Sequence, residues 1–112
     1  MLAAAASSLV FALAAQTPAI EGAFVVDTGR EGNVVRIVFN DDARVTPDNF
    51  VEVAGAALGL TERDALLPSK SPAAPGTVLL DQFFNGVRVF DGSAVLVMRD
   101  KYVSAALLSL VP

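Results

Sequence analysis

The sequence predicts an α+β fold, in which an antiparallel β-sheet of about four strands packs against one main α-helix. Three observations carry this prediction. Apolar residues alternate with a period of two in short runs, an Asn-Gly pair separates two such runs, and one central stretch repeats apolar residues at helical spacing. The chain of 112 residues is long enough for one domain with a single core.

The first segment, residues 1–18, is apolar from Leu2 to Ala15. It is shorter than the roughly 20 apolar residues of a transmembrane helix, so we expect no stable membrane span. One interpretation is a secretory signal cleaved near Ala12-Leu13-Ala14, although no Lys or Arg precedes the apolar run. The other is a further, N-terminal helix of the domain. The first interpretation predicts a secreted or periplasmic protein, and the second also allows a cytoplasmic one.

Residues 22–112 are expected to form one domain, which opens with two strands. The runs GAFVVD (22–27) and VVRIVFN (34–40) flank the turn-rich segment TGREGN. In the second run Val35, Ile37 and Phe39 alternate with a more polar set. These two runs predict a hairpin with a long loop.

The main helix is predicted over Pro47–Leu58. Thr46 suits the N-cap, Pro47 the first helical position, and Gly59 the end of the helix. One apolar stripe recurs at helical spacing and comprises Phe50, Val53, Ala54, Ala57 and Leu58.

The connection from Thr61 to Gly76 contains three prolines and predicts a loop. The last segment, residues 102–110, stays ambiguous. Val103, Ala106 and Leu110 fit a helix, whereas alternate residues from Val103 fit a strand.

A second hairpin is predicted around Asn85-Gly86, because a type I′ turn needs a positive φ at both central residues. This turn places Phe84 opposite Val87, Phe83 opposite Arg88 and Gln82 opposite Val89. Asp81 then lies diagonal to Arg88, and Asp91-Gly92 interrupts the alternation as a bulge does.

Composition excludes several classes of function. The chain has no His and no Cys, so a Ser-His-Asp triad, a conventional zinc site and a thiol nucleophile are excluded. A net charge of −4 and scattered basic residues argue against nucleic acid as a partner. We expect no enzyme, no cofactor and no metal.

Carboxylates are the remaining alternative for catalysis or for metal binding. Asp41 and Asp42, with Asp48 nearby, or Asp91 are the candidate catalytic groups. A calcium site at Asn40, Asp41 and Asp42 needs more oxygen ligands than this cluster supplies.

Gln82 lies among apolar residues on the inward face of its predicted strand. A buried amide needs hydrogen-bond partners. We favour a structural role, in which Gln82 bonds to backbone and fixes the register, over a role in binding a partner.

The stretch LLDQFFNGVRVFDGSAVLVMRDKYVSAAL resembles the fungalysin/thermolysin propeptide (FTP) domain, with the PepSY-like domain as second choice. The family hairpin carries Gln, three residues, Gly, two residues and Val, followed by an aromatic residue and a small turn. Gln82, Gly86, Val89, Phe90 and Gly92 occupy these positions. The segment FVEVAGAALGL is similar to the helix that precedes this hairpin in the family. The chain differs at Lys101, where the family usually has Gly.

This resemblance implies a module that inhibits a thermolysin-like zinc metallopeptidase and serves as its intramolecular folding chaperone, without being catalytic. The partner would be the peptidase catalytic domain, in cis or in trans. Asn85, Gly86 and Arg88 at the hairpin tip are the expected partner contacts. The alternative is a stand-alone structural or interaction domain that binds a protein through a sheet edge or through the hairpin.

Overall fold

The computed structural model describes residues 19–111, which form one antiparallel sheet of six strands and one short helix. The strands are β1 (Ala23–Thr28), β2 (Val34–Phe39), β3 (Asp64–Pro68), β4 (Thr77–Phe84), β5 (Val87–Arg99) and β6 (Tyr102–Ser109), and the helix is α1 (Phe50–Ala54). Their order across the sheet is β1-β2-β6-β5-β4-β3.

The predicted α+β class is wrong, because the described residues are mostly β. The sheet has six strands where about four were expected, and α1 has five residues. The further N-terminal helix was expected within residues 1–18 and lies outside the described residues.

The predicted helix Pro47–Leu58 is wrong in its length. Although the α-helix begins only at Phe50, Thr46 exchanges with Asn49 the two hydrogen bonds of a capping box, as its predicted N-cap role requires. Its N–H donates to Asn49 Oδ1 at 2.8 Å, and its Oγ1 accepts from the Asn49 N–H at 3.3 Å. These bonds hold residues 46–49 in a turn. Beyond Gly55 the Leu58 N–H is shared between the Ala54 and Gly55 carbonyls, and the Gly59 N–H donates to the Ala56 carbonyl, so the chain continues as tight turns.

The predicted apolar stripe nevertheless faces the core. Phe50 and Ala54 have no exposed surface, and the Phe50 ring meets the edge of Phe39 with centroids 6.4 Å apart. They pack on the inner face of the sheet, which we define by Ile37, Phe39, Leu66, Leu80, Gln82, Ala94, Leu96, Ala106 and Leu108. The segment between β2 and β3 is therefore the cover of this one face.

One strand contradicts the sequence prediction, and another resolves a segment that the sequence left ambiguous. The expected loop 61–76 contains β3, which pairs with β4 at one edge of the sheet. Pro68 ends this strand, as an edge position permits. Of the ambiguous residues 102–110, Tyr102–Ser109 form β6, which lies between β2 and β5. In the β5–β6 turn Asp100 takes the positive φ of 55°.

No helix among residues 19–111 is long and apolar enough to cross a membrane.

The core contact of α1 gives the first testable prediction. Phe50→Ala should lower the free energy of unfolding by about 3–5 kcal/mol, because it empties a fully enclosed site. Urea unfolding followed by circular dichroism measures this loss. Phe90→Ala is the matched control, since Phe90 is 83% exposed and its loss should change stability by less than about 0.5 kcal/mol. Equal losses for the two variants would contradict the assignment of α1 as the cover of the core.

Candidate functional site

The candidate site is the free end of the β4–β5 hairpin, where the predicted site residues lie. Asn85 and Gly86 form the exposed turn with φ values of 51° and 80°. The predicted pairs Phe84–Val87 and Phe83–Arg88 are confirmed. The Asn85 N–H donates to the Arg63 carbonyl at 2.8 Å, which ties the tip to the segment before β3.

The side chain of Gln82 joins the hairpin to the end of the chain. Its Nε2 donates to the Val111 carbonyl and its Oε1 accepts from the Val111 N–H, both at 2.8 Å. The amide thus pairs with Val111 as a neighbouring strand would. Gln82 is 2% exposed, and both of its polar atoms have partners. We call this pair the Gln82–Val111 clamp.

Gly92 makes room for the clamp. A Cβ at Gly92 would lie 2.8 Å from Gln82 Cβ and closer still to Gln82 Oε1. Real Cβ atoms essentially never make such contacts, so a larger residue at this position would displace the amide. Gln82 and Gly92, two positions of the hairpin motif, are therefore linked, because the Gln82 side chain fits only if position 92 has no Cβ.

The remaining motif positions, Val89 and Phe90, lie in a bulge of β5. Only Gln82 of β4 stands between the pairs Asp81–Ser93 and Phe83–Arg88, whereas β5 has four residues there. The predicted pairing of Gln82 with Val89 is therefore wrong. Asp91 adopts a φ of 62° within the bulge, and Phe90 is turned out to solvent with 83% of its surface exposed.

An apolar pocket of about 490 Å³ lies beside the clamp on the inner face. Its apolar walls come from the turns after α1, from the hairpin and from the end of the chain: Leu58, Leu60, Phe84, Val89, Leu110 and Val111. Asn33, Thr61 and Asp64 supply polar groups at its rim. Asp64 is already engaged, because its Oδ2 accepts from the N–H and the hydroxyl of Thr61 at 2.8 and 3.0 Å.

Apolar side chains continue from this pocket to the hairpin tip. Phe84 and Val87 face each other across the two strands and are 44% and 69% exposed. Arg88 forms a long ion pair with Asp81, with 3.5 Å between Nε and Oδ2. The tip therefore offers an apolar pair beside a pocket on the inner face, while Arg88, opposite Phe83 and bonded to Asp81, lies on the other face of the hairpin.

The candidate carboxylates do not assemble into a centre. Asp41 pairs with Arg99 at 3.0 Å, and Asp91 belongs to the β5 bulge. Residues 19–111 contain no group of three or more acidic, His or Cys side chains that could hold a metal ion.

Sequence reasoning missed the partner of Gln82 and the pocket. Val111 lies 29 positions beyond Gln82, and only the alignment of β6 with β5 brings the two together. No short-range pattern carries that information. No family model, curated protein or solved structure matches the chain.

Removing the Gln82 amide, or filling the space that Gly92 leaves for it, should destabilise the domain. We expect Gln82→Ala to lower the free energy of unfolding by about 2 kcal/mol, through two lost hydrogen bonds. Gly92→Ala should lower it by about 1–3 kcal/mol through overpacking. The double variant should lose less than the sum, because removing the amide relieves part of the clash with Cβ. Denaturant unfolding of the unaltered chain, the two single variants and the double variant measures the coupling free energy. Strict additivity of the two losses in the free energy of unfolding would contradict the clamp.

Proposed function

We propose that the chain is a propeptide-like, non-catalytic module that docks the end of its β4–β5 hairpin on a thermolysin-like zinc metallopeptidase. It acts there as inhibitor and as intramolecular folding chaperone. The observation that carries this proposal is the exposed apolar pair Phe84–Val87 beside the apolar pocket. The resemblance of the hairpin sequence to the propeptide family supplies the class of partner.

The hairpin is suited to binding because it is held in one conformation before any partner arrives. The Gln82–Val111 clamp fixes its inner face, and the hydrogen bond from Asn85 to Arg63 fixes its tip. A preorganised surface loses little conformational entropy on association. Burial of Phe84 and Val87 then contributes about 25 cal/mol per Å² of apolar surface, and the pocket can receive an apolar side chain of the partner.

A charged side chain on the other face of the hairpin, opposite the apolar pair, can orient a partner that reaches around the tip. The Arg88 side chain is 61% exposed and is held by Asp81 only at 3.5 Å. Its guanidinium can therefore meet a carboxylate at the rim of the partner's surface. Such rim contacts act on association rate and orientation more than on affinity.

The hairpin is a better docking element than either edge of the sheet. The edge strand β1 is irregular between Ala23 and Val25 and carries Asp27, while β3 has five residues and ends at Pro68. Bulges, charges and prolines all discourage the addition of another strand. These features argue against the alternative in which a stand-alone domain binds through its sheet edge.

The location follows from the proposed partner. A module that controls a secreted peptidase is expected in the same compartment, outside the cytoplasm, where a signal-like first segment would direct it.

A trans-inhibition assay tests this proposal. The chain should slow cleavage of a peptide substrate by a thermolysin-like peptidase and should raise the yield of that peptidase on refolding. Val87→Glu should weaken both effects at least about tenfold, because it places a carboxylate in the docking surface.

Leu107→Glu is the matched control, since Leu107 is 47% exposed but lies on β6, away from the hairpin tip. This variant should inhibit as the unaltered chain does. A chain that neither inhibits the peptidase nor assists its refolding would contradict the proposal. Equal losses for the two variants would place the docking surface elsewhere.

A further inference from the structure

The face of the sheet opposite α1 carries a continuous apolar surface, which we call the outer face. Strand pairing arranges its residues in rows that cross β2, β6, β5 and β4. The first row is Val38, Ala105, Val97 and Thr77, the second is Arg36, Leu107, Val95 and Leu79, and the third adds Ser109, Ser93 and Asp81. Two apolar rows therefore lie beside one polar row.

Nothing among residues 19–111 covers these rows. None of their apolar residues belongs to the core cluster or packs against it. Leu107 is 47% exposed, and two exposed phenylalanines stand beside the rows. Phe24 lines a groove with Val38 and Ala105, and Phe90 lines another over Leu79 and Ser93. The other apolar residues of the rows are half-buried, so Leu107, Phe24 and Phe90 are the exposed members of a contiguous apolar patch, and such patches mark interaction sites.

We propose that the outer face binds a second copy of this chain, so that two sheets stack face to face about a twofold axis. This surface is separate from the hairpin tip, so the inference does not depend on the proposed peptidase partner.

The rows restrict the direction of the axis. An axis across the strands through the second row would lay the apolar first row on the polar third row of the other copy. An axis along the strands, between β6 and β5, lays each row on its own counterpart. Of these two arrangements, the second opposes apolar residues to apolar residues and keeps all three rows in the contact, and aligned packing about 10 Å apart is a common way for two sheets to stack.

This axis also matches large residues with smaller ones. Leu107 of one copy faces Val95 of the other, and Ala105 faces Val97. The protruding leucine thus meets a half-buried valine, and the small alanine leaves room for a valine. Complementary sizes at facing positions allow close packing.

The charged residues at the two sides of the outer face are already paired within each chain, Arg36 with Asp27 at 2.6 Å and Asp81 with Arg88 at 3.5 Å. Strand β2 of one copy lies over β4 of the other, which brings Arg36 over Leu79 and one row away from Asp81. One row is about 7 Å along a strand, within the reach of an arginine side chain. Arg36 can therefore extend from its own ion pair with Asp27 toward Asp81 of the other copy, whose partner Arg88 is held only at 3.5 Å, so the charges at the two sides do not oppose stacking.

The area is large enough for a specific dimer. Four strands at about 4.8 Å and three rows at about 7 Å span about 400 Å² per copy before side-chain relief. The exposed rings of Phe24 and Phe90 add to this, since a phenylalanine buries about 150 Å² or more. The total for two copies exceeds the roughly 1,000 Å² expected of a biological interface.

The mass of the full chain in solution tests the dimer. Light scattering after size exclusion, over a dilution series, should give twice the mass of one chain at high concentration. Leu107→Glu should shift the midpoint of dissociation to at least about tenfold higher concentration, because it buries a carboxylate against Val95 of the other copy. Val87→Glu is the matched control and should leave the midpoint unchanged, since Val87 lies at the hairpin tip.

Cross-linking tests the axis without relying on the stability of one variant. The sequence has no Cys, so single cysteines can be placed at will. A mixture of Val38→Cys and Thr77→Cys chains should cross-link with a short bis-maleimide, because β2 faces β4 of the other copy. Either variant alone should give little product, since its two cysteines lie about 14 Å apart across the sheet.

A chain that stays monomeric at every concentration would overturn the proposal, whatever else covers the outer face. A dimer that dissociates with Val87→Glu but not with Leu107→Glu would overturn it as well, because the contact would then be at the hairpin. Neither result depends on inhibition of a peptidase, so failure of the dimer and failure of the proposed function are distinguishable.

Discussion

The Gln82–Val111 clamp is the interaction on which the functional end of the molecule depends. It joins the middle of β4 to the end of the chain, across a bulge in which β5 has four residues opposite one. Without Val111 as its partner, the polar amide of Gln82 would lie beside the apolar pocket with no hydrogen bonds. The clamp therefore explains why one buried polar residue, one close-packed glycine and one apolar pocket lie together. It also holds the apolar pair Phe84–Val87 in place as a preformed surface.

A second constraint follows from the small amount of chain outside the strands. A sheet has two faces, and each apolar face must be buried against something. Here the segment between β2 and β3 covers the inner face, with Phe50 at its centre. No equivalent segment among residues 19–111 lies over Val95, Val97 and their neighbours. The shortage of covering chain is thus the physical origin of the outer face as an interaction surface.

Local signals in the sequence identified the elements that local interactions determine. The Asn85-Gly86 turn and the pairs next to it were predictable, because a two-residue hairpin fixes its own register. The length of α1 was not, since the capped segment begins as a turn and changes again to tight turns beyond Gly55, which the apolar spacing cannot distinguish from a helix. The strand assignment of residues 102–110 depends on pairing with both β2 and β5, which periodicity over nine residues cannot specify. Similarly, β3 lacks alternation and ends in Pro68, so its edge position was visible only in the sheet.

The two proposed surfaces lie on opposite faces of one sheet, and this has a consequence for binding. The pocket and the Phe84–Val87 pair belong to the inner side, whereas the rows around Leu107 and Val95 belong to the outer side. Stacking of two outer faces therefore leaves both hairpin ends free. A twofold dimer would present two identical docking ends. For a partner with two sites, the rigid sheets would then set the effective concentration of the second docking end once the first is bound. The same sheet that holds the clamp would then fix the distance between the two partners.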